Sequence, residues 1–209
     1  MKKLLAILAV LALAAATPVL ATSAMETEIP RFLTAYEGNG VVELDFRNDV
    51  RYRNLSVTAV DPLGAAQSVV ILETDDDELT FRIENALDET VYTFTVGGIE
   101  FVRGSGEEII TGEVATPAAG HTVIQSVERD DGELEIELMG PVEYGDVTVT
   151  LTGPGGENVD ARIVERDGDG LEVRTGALTP GEEYTVTVTG VGLRGSGVSG
   201  TVTRSFIAR

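Results

Sequence analysis

Two stretches carry carboxylates at every second position: Glu73, Asp75 and Asp77, and again Glu165, Asp167 and Asp169. Three carboxylates spaced in this way around a turn could converge on Ca²⁺, a hard cation that gathers several oxygen ligands. The spacing is not that of an EF-hand, and Asp167-Gly168-Asp169-Gly170 also spells a tight turn. A duplicated unit inherits its turns as readily as its sites, so tight calcium binding is not expected. No other cofactor is indicated.

Other chemistry is scarcer. His121 is the single histidine and there is no cysteine. His121 falls among small and turn residues, so a Ser-His-Asp or Cys-His arrangement would have to draw on a residue outside any core. Zinc needs nitrogen or sulfur ligands that this chain cannot supply in number. Carboxylates are plentiful enough for a glycosidase pair, but almost all fall at alternating polar positions or in turns, where solvation explains them. An enzyme is therefore not expected. There is no tryptophan to stack on a sugar. Tyr52, flanked by Arg51 and Arg53, and Tyr144 are the aromatics that a loop tip between strands could present to a ligand, although covering the end of the sandwich accounts for them more simply. Arg103 and Arg194 each open an Arg-Gly-Ser-Gly run, in loops placed where sandwich domains often carry ligand contacts. Flexible glycine turns account for those runs more simply.

Those residues must be positioned by something, and the N-terminus is not part of it. Lys2 and Lys3 precede an apolar run from Leu4 to Ala16 and a small-residue stretch ending at Ala21 or Ala24. The pattern predicts a secretory signal peptide over residues 1–24, with an apolar core too short to span a bilayer. No membrane insertion is expected after its removal. Taking Lys2 and Lys3 from the 15 basic residues leaves 13, all arginine, against 35 acids, a net charge of −22. Such a surface repels nucleic acid and anionic membranes, whose phosphates need a basic patch.

The remaining chain is a duplicated unit. A shift of 92 aligns Gly40 with Gly132, Val57-Thr58 with Val149-Thr150 and Pro62 with Pro154. It also aligns Glu73 with Glu165, Arg82 with Arg174, and Tyr92-Thr93 with Tyr184-Thr185. Within each copy apolar and polar residues alternate: Val42, Leu44 and Phe46 in one, Leu134, Ile136 and Leu138 in the other. Period-two alternation gives strands with one dry and one wet face, as in antiparallel sandwiches. Turn signals such as Asp61-Pro62-Leu63-Gly64 and Gly153-Pro154-Gly155-Gly156 divide each copy into about seven strands.

The stretch Leu178 to Val188, LTPGEEYTVTV, and its counterpart Leu87 to Val96, LDETVYTFTV, resemble the approach to strand F of fibronectin type III and related bacterial Ig-like domains. The likeness extends to the Ig-like modules of bacterial S-layer and cell-surface proteins. It implies that Tyr92 and Tyr184 form tyrosine corners, ring in the core and hydroxyl bonded to nearby backbone. The expected organisation is all-β: an Ig-like sandwich over 25–116, a linker over 117–121, and a second sandwich over 122–209. The expected role is a non-enzymatic secreted or cell-envelope module for structure, adhesion or protein interaction. Its partners are expected to be protein or cell-wall glycan. The alternative is a secreted accessory protein that binds carbohydrate or calcium.

Overall fold

The computed structural model describes residues 31–103, 106–130 and 132–209, and no helix occurs among them. The signal peptide expected over residues 1–24 lies outside the described residues, as do residues 25–30, Gly104, Ser105 and Asp131. Copy one forms β1 (Phe32–Gly38), β2 (Val41–Phe46), β3 (Val50–Val60), β4 (Ala66–Gln67), β5 (Val69–Thr74), β6 (Glu78–Ile83), β7 (Val91–Phe101) and β8 (Glu107–Ala115). Copy two repeats them as β9 (Ile124–Asp130), β10 (Glu133–Leu138), β11 (Val142–Thr152), β12 (Asn158–Val159), β13 (Ala161–Arg166), β14 (Gly170–Thr175), β15 (Glu183–Leu193) and β16 (Gly200–Ile207). Each copy thus has one strand more than the turn signals suggest, the two-residue β4 and β12.

The strands make four antiparallel sheets, ordered β1-β2-β6-β5 and β4-β3-β7-β8, then β9-β10-β14-β13 and β12-β11-β15-β16. Alternation fixes which face goes inward. Val42, Leu44 and Phe46 of β2 are buried with Leu79, Phe81 and Ile83 of β6, and meet Tyr92, Phe94 and Val96 of β7. Phe81 and Phe94 touch edge to face across the sheets, 5.5 Å between centroids. Copy two has a separate core in which Leu134, Ile136 and Leu138 face Tyr184, Val186 and Val188. Each large side chain taken out of water contributes about 2 kcal/mol, and with no disulfide available this packing holds each sandwich.

β3 and β7 bend together. Their pairing slips between Tyr52 and Ser56 and between Gly97 and Ile99, and β11 with β15 repeats the slip. Gly98 sits at φ +83 with the Arg53 carbonyl where a Cβ would stand, 2.2 Å away. Only glycine allows that approach. The bulge lets β3 start at Val50, so Arg51-Tyr52-Arg53, whose polarity suggests a loop, is strand.

Candidate functional site

Tyr52 and Tyr144 are not presented on loop tips. Each lies early in a bulged strand, half-buried against its core, and donates its hydroxyl across the sandwich at 2.6 Å, Tyr52 to the Glu78 carbonyl and Tyr144 to that of Gly170. Burial pushes the Tyr144 phenol up to about 12. A ring locked in this way closes the end of the sandwich and offers no stacking face. Arg103 is exposed, and so is Arg194 beside Gly195, where it lies 3.5 Å from the Val142 carbonyl. Tyr92 and Tyr184 are buried, and their hydroxyls accept the Leu87 amide at 2.8 Å and the Thr179 amide at 2.9 Å.

The acidic turns have a structural job that explains their duplication. In copy one the Asp77 carbonyl accepts the Phe46 amide, the Asp76 carbonyl accepts that of Val50, and Asp75 donates to Glu78. In copy two Asp169, Gly168 and Asp167 make the same three bonds with Leu138, Val142 and Gly170. The turns therefore hold the β2–β3 and β10–β11 connections through their backbones. Side-chain oxygens of Asp75, Asp76 and Asp77 come within 4.8 Å of one another. Glu73 is outside that group, and Asp77 is engaged by Arg209 at 2.8 Å. Gly168 stands where copy one has Asp76, so copy two lacks the third carboxylate.

The charged centre of the molecule is elsewhere, between the sandwiches. β1, an edge strand of copy one, lies against β9 and β16, both edge strands of copy two. Glu43 and Asp45 occupy the polar face of β2, yet both are half-buried, whereas their counterparts Glu135 and Glu137 are exposed. The cover is the last strand of copy two. Arg204 reaches across with its side chain only 7% exposed, and its guanidinium meets Glu43 at 2.5 Å and Glu37 at 3.4 Å. It also donates to the carbonyls of Ile124 and Gln125. Arg209 binds Asp45 at 2.6 Å as well as Asp77, and Arg47 binds Glu183 at 2.5 Å. Gly38, at φ +101, abuts Met139 so closely that a Cβ would stand 2.0 Å from the sulfur.

Register explains how an arginine comes to be there. Gly112 of β8 pairs with Phe94, whose ring would meet a Cβ at 2.3 Å. The corresponding partner of Val186 in β15 is Arg204. The smaller Val186 and the edge position of β16 give a long side chain room to run out between the sheets. One signal of this was in the sequence: Arg204 shares its parity with Val202, Phe206 and Ala208, an arginine among the inward residues of the last strand.

The carboxylates respond to this burial. Desolvation, reinforced by the hydrogen bond and negative charge of Glu43, raises the Glu37 carboxyl to about 8, with Arg204 opposing. Glu37 thus holds its proton to higher pH than an ordinary carboxyl, and of the two side chains Glu43 stands closer to the guanidinium. Desolvation also raises Asp45 to about 6 despite Arg209.

Beside this clamp a cleft of about 520 Å³ opens between β1, β8, the connecting segment and β16. Tyr36, Glu113, His121, Thr201 and Thr203 contribute to its walls. The connecting segment is tied down, since buried Thr116 accepts the Thr90 amide and donates to the Leu87 carbonyl, while Pro117 accepts the Glu89 amide.

No family model matches the chain, and no curated protein matches it. Among solved structures it is similar to a segment of two fibronectin type III domains from chicken tenascin, with 18% identity, TM-score 0.31, and coverage of 85% of this chain and 97% of that one. It is similar to the BSP domain of a biofilm associated protein, with 13% identity and TM-score 0.38, covering 85% of this chain and 29% of that one. A third is the FN1–FN3 segment of chicken CNTN1, with 14% identity and TM-score 0.29, covering 85% of this chain and 64% of that one. The chain is a tandem of two antiparallel β-sandwiches, and the solved structures it is similar to include tandem fibronectin type III segments and a biofilm protein domain.

Proposed function

We propose that the chain is a non-enzymatic protein of the cell surface or extracellular space, in which two Ig-like modules, 25–116 and 122–209, act as one stiff structural and interaction element. The observation that carries this reading is the Arg204 clamp. A freely jointed pair would leave its charges in water, yet here one arginine is withdrawn from solvent between carboxylates of the other module. Desolvating a charge is costly unless it is paired in one fixed geometry, so such a contact selects a single arrangement of the modules. Export follows from the predicted signal peptide, and the acidic surface keeps the product soluble and away from polyanions.

Two measurements test it. Protease treatment of intact cells, with assay of the medium, is expected to find the protein accessible or released; confinement to the cytosol overturns the reading. Small-angle scattering is expected to fit one fixed arrangement of the modules, and a profile requiring a broad ensemble contradicts the stiff element.

A further inference from the structure

The two copies protect their outer sheet edges differently. β13 runs Ala161-Arg162-Ile163-Val164-Glu165-Arg166, with charges of the kind that discourage a second chain from pairing. Its counterpart β5 begins Val69-Val70-Ile71-Leu72, and the chain carries no charge from Gly64 until Glu73. Val70, Ile71 and Leu72 are 43%, 39% and 43% exposed at that edge. Edges β1, β8, β9 and β16 gather at the module junction, whereas β5 lies at the opposite side of its sheet.

The register shows what β5 offers. The Glu84 amide donates to the Ser68 carbonyl, and Val69 stands opposite Ile83 and Val70 opposite Arg82. In an antiparallel ladder alternate residues point their backbone groups to the same side. Ser68 and Val70 therefore turn toward β6, and the N–H and C=O groups of Val69 and Ile71 face outward.

We propose that β5 is a self-association edge, pairing antiparallel with β5 of a second copy so that Val70 meets the partner's Val70 on a two-fold axis. Val69 then exchanges both backbone bonds with the partner's Ile71, and Ile71 with the partner's Val69. Charge placement favours a second copy as the occupant. The first acid of each strand, Glu73, falls opposite position 67, where the chain has crossed into the other sheet as β4. The two Glu73 carboxylates end up six residues apart along the pair, roughly 20 Å at the rise of a strand, well beyond the Debye length of about 8 Å. The bulge at Leu72, where the β5–β6 register slips, limits pairing to this short apolar stretch. The result is a weak, concentration-dependent dimer that strengthens as salt screens the acidic bodies.

This deepens the reading of the chain as an interaction element, and its test leaves Arg204 untouched, so either can fail alone. Sedimentation of the purified protein is expected to show a dimer growing with concentration and salt. Val70→Arg, which copies Arg162 of the other module, sets like charges directly opposite and is expected to give monomer throughout; circular dichroism reports its folding. Independently, Val70→Cys introduces the chain's sole cysteine. At a non-hydrogen-bonded pair the Cα atoms are about 4.5 Å apart, within the disulfide range of about 4.4–6.8 Å. Val70→Cys is expected to oxidise to a covalent dimer and Arg162→Cys is not. A wild-type monomer up to about 1 mM, the level of very weak association, overturns the proposal. So does a dimer that persists in folded Val70→Arg, or equal crosslinking of the two cysteine variants.

Discussion

Replacing Glu37 by Gln is expected to stabilise the protein at pH 8 and leave it nearly unchanged at pH 5. Gln is close in shape to the protonated carboxyl and retains a donor toward Glu43. Glu37 is raised from 4.5 to about 8 in the folded protein, by burial first and by Glu43 next. A group raised on folding contributes its stability fully below the unfolded pKa and loses it as pH rises through the folded one, so the junction weakens from pH 4.5 toward 8 and above. One proton sets a slope of at most about 1.4 kcal/mol per pH unit. Solvent screening of this partly exposed group reduces the sum over that window to about 2 kcal/mol. Asp45, raised from 3.8 to about 6, adds a smaller loss of the same sign between those values. The acidic surface as a whole also favours lower pH through self-repulsion, so the difference between variant and wild type carries the test. Urea unfolding at several pH values measures it. The variant is expected to gain about 2 kcal/mol at pH 8 and to show a flatter pH dependence. Lower stability of Glu37→Gln at pH 8, or an unchanged slope, refutes the assignment of a buried Glu37 with a raised pKa.

Three further outcomes follow from the same structure. Tyr184→Phe removes the acceptor of the Thr179 amide and is expected to lower stability by about 1 kcal/mol; an unchanged denaturation midpoint undoes the tyrosine-corner role. Residues 122–209 alone carry a complete core and are expected to unfold cooperatively, though with a lower midpoint than in the whole chain; an unfolded fragment means the sandwiches depend on a shared core. Calcium titrated at about 0.15 M salt is expected to bind weakly and to leave the melting temperature unchanged. Stoichiometric binding that is abolished by Asp75→Asn would give the acidic turn a metal role beyond its backbone bonds.

Alternation and internal duplication made the fold class legible, because a period of two with turns every few residues leaves few architectures other than sandwiches. Tyr52 lies where that alternation breaks. A bulged strand has no clean alternation, so Arg51-Tyr52-Arg53 mimics a loop until the close approach of Gly98 is seen. The duplicated Glu-x-Asp-x-Asp pattern drew attention to side chains, while what the two copies share there is a set of backbone bonds. The junction was hidden for the opposite reason. Comparing copies highlights what they share, whereas Arg204, Glu37 and Gly38 matter because they differ from their counterparts. Only the placement of one module on the other turns the polar face of β2 into a buried one.

That Arg204 fixes the two sandwiches as one body is tested by backbone ¹⁵N relaxation of the whole chain. In the wild type both modules are expected to report a single overall tumbling time and one diffusion tensor. In Arg204→Ala, with Glu43 left beside an empty space, the modules are expected to separate into two faster and distinct tumbling times while each keeps its own fold. Independent tumbling in the wild type, or identical tumbling in the variant, would contradict it.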